Sequence, residues 1–253
     1  MPEQKSRSWQ QAYVEHYYRS RPGWIDGTVE FWQLIRKYLS APGNVLELGC
    51  GPTNRTSEFL SSIADRLEGL DVDEGARNNE HIDQVHIYDG GAWPLEDASL
   101  DGVVADYVLE HVEHPSAVVA EVARVLKPGG VFLFRAPNVW HYVSMLSYLT
   151  PQWLHRLASN RLRNAPSEAR DPYPTYYRMN TRRSIRSLCR KASLEELELR
   201  MIEKEPSYGM SSRILFHVFM LYERMVNKTG LLAGARANVL GAYRNGEHVL
   251  SGG

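Results

Sequence analysis

Two glycines with one residue between them, Gly49 and Gly51, follow a short apolar run that carries a single acid, Glu47. Glycines in such a turn permit positive φ and let the backbone approach a ligand closely. A carboxylate in an apolar strand needs a reason. It is either a satisfied polar group at the strand end or a group facing a cationic ligand at the carboxyl edge of a parallel sheet. Asp71 lies about twenty residues beyond the turn, where an acid in nucleotide-binding α/β folds accepts hydrogen bonds from ribose hydroxyls. Asp73 is the alternative for that role, and an acidic loop is the plain reading of both. Asp89 precedes Gly90 and Gly91. A carboxylate there can accept from an exocyclic amine while the glycines let backbone reach a base edge, or the stretch is simply a turn. A dinucleotide fingerprint requires a third glycine three residues after the second, and this chain has Asn54 there.

The elements that must hold these groups can be read around them. Val45 to Leu48 is a strand, and Phe59, Leu60 and Ile63 give the helix after the turn its buried face. Strands follow at Arg66–Asp71, Gln84–Tyr88 and Ser99–Asp106, the last ending in an acid, Asp106. Pro115 opens a helix with Val119, Val122 and Leu126 on one face, Lys127 to Gly130 stops it, and Val131–Phe134 is the next strand. Before all of these, residues 8–40 are helical in pattern and rich in aromatic rings, with Pro22-Gly23 splitting them in two. Alternating strands and helices predict a parallel sheet.

Glu47-Leu48-Gly49-Cys50-Gly51-Pro52 resembles motif I of the class I S-adenosylmethionine (SAM) dependent methyltransferases, with Thr53 where a third glycine is common. Gly69-Leu70-Asp71-Val72-Asp73 resembles motif II, which assigns Asp71 to the ribose. Leu100 to Asn138, with Leu109-Glu110-His111 and Leu126-Lys127-Pro128-Gly129-Gly130, is similar to the most specific stretch of that family. The resemblance covers roughly residues 43–138. It implies a Rossmann-like α/β fold, a central, mostly parallel seven-stranded sheet with a helical cap, and SAM as cofactor. Its implied cofactor-binding set is Glu47, Gly49, Gly51, Asp71, Asp89, Gly90 and Asp106. His111 matches a histidine shared across many substrates, which favours a place in the cofactor pocket over a role as general base.

Length suits one large domain with an appended cap: a helical segment at 1–42, then a domain over 43–253 with insertions at 137–180 and 205–235. Two cysteines imply no disulfide framework. The opening MPEQKSRSWQQ lacks the apolar core of a signal peptide, so a cytoplasmic protein is expected. Charge is uneven although the net is −1: residues 63–113 hold fourteen acids against Arg66 and Arg77, and residues 155–191 hold nine arginines and one lysine against Glu168 and Asp171. The acidic half disfavours nucleic acid, whereas the basic half suits an anionic acceptor.

The insertion after the fifth strand should lie over the carboxyl edge, beside the methyl donor. There His141 is the candidate base, and Tyr142, Tyr176 and Arg178 are candidate substrate contacts. Thr181 caps a basic helix, and no metal ligand set is evident. Residues 211–226 are apolar on nearly every face. They either pack internally, form a homodimer, or lie in a membrane interface flanked by Arg213, Arg224 and Lys228. The expected activity is methyl transfer to a small-molecule, glycan or lipid-linked acceptor, as an O-methyltransferase. A non-catalytic SAM-binding regulator is the alternative.

Overall fold

The sheet owes its order to one reversal of direction. From β1 (Asn44–Leu48) the chain moves outward through β2 (Arg66–Asp71) to β3 (Gln84–Ile87), then returns to the other side of β1 as β4 (Leu100–Asp106) and β5 (Leu126–Pro137). These five strands run parallel. β6 (Leu194–Ile202) and β7 (Asn238–Asn245) complete the order β3-β2-β1-β4-β5-β7-β6, with β7 antiparallel to both neighbours. The mostly parallel seven-stranded sheet expected from the sequence is therefore present. The switch point between β1 and β4 opens a crevice at the carboxyl ends of the strands, the usual place for a ligand in such sheets. The computed structural model describes residues 8–39, 43–88, 90–142, 144, 173–206 and 209–246.

Helices cover both faces. α2 (Gly27–Tyr38), capped by Asp26, and α3 (Arg55–Ser61) put Phe31, Leu34, Ile35, Phe59 and Leu60 against one face. α4 (Pro115–Val125) and α5 (Arg182–Lys191) put Val119, Val122, Ile185 and Cys189 against the other. Pro115 stands in the first turn of α4, where a missing N–H costs nothing. Thr181 caps α5, accepting from the Ser184 N–H at 3.0 Å.

The remaining helices form a cap. α1 (Trp9–Val14) continues into a π-helical turn, Glu15–Arg19, and its rings pack on α6 (Arg213–Lys228). Trp9 and Tyr13 meet Phe216 edge to face at 6.5 and 5.3 Å, and the buried Tyr18 donates to Glu223 of α6 at 3.2 Å. Most of the N-terminal aromatic rings are thus packing groups.

Candidate active site

The glycine turn is built on a buried polar foundation. Glu47, 1% exposed, accepts from the Ser57 hydroxyl at 2.6 Å and from the Asn54 amide at 3.2 Å. Burial pushes its carboxyl up to about 7, and the neighbouring Asp106 and Asp71 charges push the same way. Asn54 also caps α3, accepting from the Thr56 and Ser57 N–H groups at 2.7 and 2.8 Å and donating to the Cys50 carbonyl at 2.7 Å. The buried Asn79 amide holds the same turn, lying 3.2 Å from the Cys50 carbonyl and 3.1 Å from that of Gly51. Asn79 was not singled out in the sequence, because nothing local to it marks a residue that reaches back to position 50.

Both glycines take left-handed conformations, φ +69° at Gly49 and +56° at Gly51. A Cβ on Gly49 would also stand 2.5 Å from Val108 Cγ2, whereas one on Gly51 would meet nothing within 4 Å. Gly51 therefore borders open space. Its N–H donates to Asp71 Oδ2 at 2.8 Å, and Asp71 Oδ1 accepts from the Asp73 N–H at 2.9 Å. The acid at the end of β2 thus reaches the turn after β1. Val72, next to it, is 56% exposed and leaves apolar surface open at that edge.

Across the cleft, Asp106 is gripped by Arg135 from the end of β5. Arg135 Nε donates to Oδ1 at 2.6 Å and Nη2 to Oδ2 at 2.7 Å, while the Thr56 hydroxyl donates to Oδ2 at 2.8 Å. Arg135 Nη1 donates to Thr28 at 3.1 Å, and the guanidinium lies over the rings of Tyr107 and Phe31. The glycine turn, Asn54, Thr56, Asp106, Tyr107, Arg135 and Thr28 together line a cleft of about 390 Å³. Thr28 and Arg135 are further residues that the sequence did not mark. Asp89 lies outside the described residues, and Gly90 beside it is exposed at φ +100°.

A strap crosses the carboxyl edge. The Tyr176 and Tyr177 N–H groups donate to the Glu110 carbonyl at 2.7 and 3.2 Å. The Tyr173 hydroxyl donates to Asp73 at 3.0 Å, and Arg178 Nη1 donates to the Glu113 carbonyl at 2.6 Å with its guanidinium over the Tyr176 ring. His111 Nδ1 stands 2.9 Å from the Pro174 carbonyl, which can only accept. Nδ1 therefore carries the hydrogen, and the neutral ring has its acceptor at Nε2. His111, Tyr176 and Arg178 are brought together on this strap.

His141 and Tyr142 are placed elsewhere. His141 is 4% exposed, packs on Tyr142 and Tyr222, and sets Nε2 3.5 Å from Glu203 Oε2. Tyr142 stacks on Phe219 of α6 at 5.0 Å. Neither is among the residues lining the cleft. Burial pulls His141 down to about 4 and pushes Glu203 up to about 8, so between those values the pair holds one proton.

The sign for stability follows. Glu203 ordinarily titrates near 4.5, so between there and about 8 the folded chain keeps a proton that the unfolded chain releases, and stability falls as pH rises. His141 has the opposite effect up to 6.5, where its unfolded form loses its proton. Between 6.5 and 8 the Glu203 contribution is no longer offset by His141, and it costs about 1.4 kcal/mol per pH unit. Glu203→Gln is expected to remove that slope in denaturant titrations across this window. Equal slopes in the two proteins would refute the assignment.

Comparison with known proteins follows the same outline. A family model described as a methyltransferase domain matches residues 46–134. Residues 46–134 are thus similar to a methyltransferase domain. A Mycolicibacterium smegmatis protein named "Probable S-adenosylmethionine-dependent methyltransferase" is 41% identical to this chain over 99 residues, 38% of each chain. A ubiquinone biosynthesis O-methyltransferase of Thiobacillus denitrificans is 31% identical over 106 residues, 37% of this chain and 44% of that one. The matches thus span only 38%, 31% and 26% of the first three curated relatives. Among solved structures, geranyl diphosphate C-methyltransferase of Streptomyces coelicolor superposes with a TM-score of 0.54 at 15% identity, covering 86% of this chain and 79% of that one. A methyltransferase of Methanosarcina mazei gives 0.53 at 18% identity, covering 84% and 97%. These two likenesses cover most of the chain and bear on its fold.

Proposed function

We propose that this protein is a SAM-dependent methyltransferase acting on a small-molecule, glycan or lipid-linked acceptor, with oxygen as the methylated atom. One juxtaposition carries the reading: the Gly49–Gly51 turn, to which Asp71 is hydrogen-bonded, and the Asp106–Arg135 pair meet at one cleft. The open space beside Gly51 and a carboxylate at the end of β2 fit a nucleoside. Opposite charges side by side fit the amino and carboxylate groups of a methionine end, with Asp106 toward the ammonium and Arg135 toward the carboxylate. Three acids near the turn would face a pyrophosphate unfavourably, which weighs against a dinucleotide. The O-methyltransferase name of the Thiobacillus denitrificans relative supports the choice of oxygen.

Bound SAM would supply a sulfonium methyl whose departure leaves a neutral thioether, so placement of the acceptor provides much of the rate. The strap is suited to that placement. Arg178, with its side chain 49% exposed and its guanidinium over Tyr176, is offered to an anionic group on the acceptor. An alcohol must also lose a proton. Of the two candidate histidines, His111 stands at the carboxyl edge after β4, bonded to the Pro174 carbonyl of this strap, whereas His141 is enclosed beneath α6. We therefore rank His111 first as proton acceptor. Asp89 and Gly90 remain assigned to the base edge.

The test is methyl transfer from labelled SAM to fractionated hydroxylated metabolites. Arg178→Ala is expected to raise KM for an anionic acceptor severalfold, with melting temperature and SAM affinity unchanged. Tight SAM binding with no transfer to any fraction would favour the non-catalytic regulator instead.

A further inference from the structure

α6 is apolar on two sides, and only one of them is used. Its inner side buries Phe216 and Val226 and stacks Phe219 on Tyr142. Its outer side exposes Ile214 (76%), Val218 (52%), Leu221 (65%) and Met225 (52%), at a spacing of four, three and four residues. That spacing is one stripe along a helix about 24 Å long. The following 3-10 turn, Gly230–Ala235, also presents apolar side chains, with Leu231 95% and Leu232 37% exposed. Trp140 is 64% exposed beside the same turn. The Asn138 side chain accepts from the Trp140 N–H and donates to the carbonyls of Gly234 and Arg236 at 2.7 and 2.8 Å. Single exposed apolar residues are ordinary on protein surfaces, but a continuous stripe of this kind marks an interaction surface.

Charge decides what covers it. The stripe is flanked by Arg213 and Lys228, both exposed. From residue 209 to 246 the chain has one acid, Glu223, and it faces inward with its side chain 7% exposed. A second copy is a poor partner. A twofold interface sets the patch against itself, so cations would meet cations whichever way the two helices ran, with no exposed acid between them. Residues 145–172 of the same chain are no better matched, since they carry four arginines against Glu168 and Asp171. An anionic lipid surface supplies both missing components, apolar depth for the stripe and negative charge for its ends. No described helix is long and apolar enough to cross a membrane, so the helix would lie in the interface plane.

We propose that α6 and the following turn dock this protein on anionic membrane surfaces, with Ile214, Val218, Leu221, Met225 and Leu231 entering the lipid. The inference is independent of the acceptor assigned above. It is tested by sedimenting the full chain with phosphatidylcholine vesicles and with mixed phosphatidylcholine–phosphatidylglycerol vesicles. Binding is expected to the mixed vesicles, reduced by added salt. Leu221→Glu with Met225→Glu should weaken it by about tenfold or more, because each change puts a charge where apolar surface was to be buried. Both side chains are exposed, so melting temperature and SAM affinity should be unchanged in this variant. No binding to mixed vesicles, equal binding to pure phosphatidylcholine, or full binding by the double variant would each overturn the proposal. So would a dimer in sedimentation equilibrium that the same double substitution dissolves, since that would give the face to a second copy.

Discussion

Arg135→Met is expected to cost about 3–5 kcal/mol of folding stability, the usual price of stranding one member of a buried ion pair. Asp106 and Arg135 are 13% and 7% exposed and joined by two parallel hydrogen bonds. Removing the cation leaves the Asp106 carboxylate with the Thr56 hydroxyl as its remaining hydrogen-bond donor among the described contacts. The companion test is Asp106→Leu in the same chain. Replacing both charges with apolar side chains should recover much of the loss, because the penalty lies in the unpaired charge rather than in the missing attraction. Denaturant unfolding of the two single variants and the double variant measures the coupling. Additive losses would show that the pair is not acting as a unit. Cofactor binding should fail in all three if the pair receives the amino acid end of SAM.

Asp71→Ala is expected to weaken binding of S-adenosylhomocysteine by about 1–3 kcal/mol, or tens of fold in Kd, through loss of acceptors for the ribose hydroxyls. The structure adds a second route to the same loss, because Asp71 Oδ2 also accepts the Gly51 N–H. Calorimetric titration combined with melting of the ligand-free protein separates the two. A loosened turn lowers the melting temperature without ligand, whereas a lost ribose contact changes Kd alone. An unchanged Kd in a folded variant would remove Asp71 from the cofactor site.

How much of this was legible in the sequence depended on the range of each interaction. The sheet was readable because strand runs such as Val103–Ala105 are continuous and apolar, and the helices between them carry one apolar face. The missing third glycine at Asn54 weighed against a dinucleotide at the level of sequence. In the structure Asn54 is the extended N-cap of α3. Residues that act at a distance in sequence were not readable. Asn79 reaches Gly51 across 28 positions and Arg135 reaches Thr28 across 107, and neither stands in a local pattern that announces the contact. His141 illustrates the converse case. Its position after the fifth strand suggested proximity to the methyl donor, but the apolar inner side of α6 draws its ring into the cap.

Four described residues other than glycine adopt positive φ, and two of them, Tyr107 and Tyr177, stand at the carboxyl edge. Such backbone costs about 1 kcal/mol or more for a side chain of this size. Both are tied down from neighbouring segments, the Tyr107 N–H to the Arg135 carbonyl at 2.9 Å and the Tyr177 N–H to that of Glu110 at 3.2 Å. The sheet beneath has no comparable local debt. In the language of native-state fluctuations, these two residues are expected to open at lower free energy than the paired strands beneath them. Amide exchange at the Tyr107 and Tyr177 N–H groups is then expected to be faster than in β1 and β4. A ligand can then enter and leave through a local excursion that costs a small fraction of the free energy holding the fold.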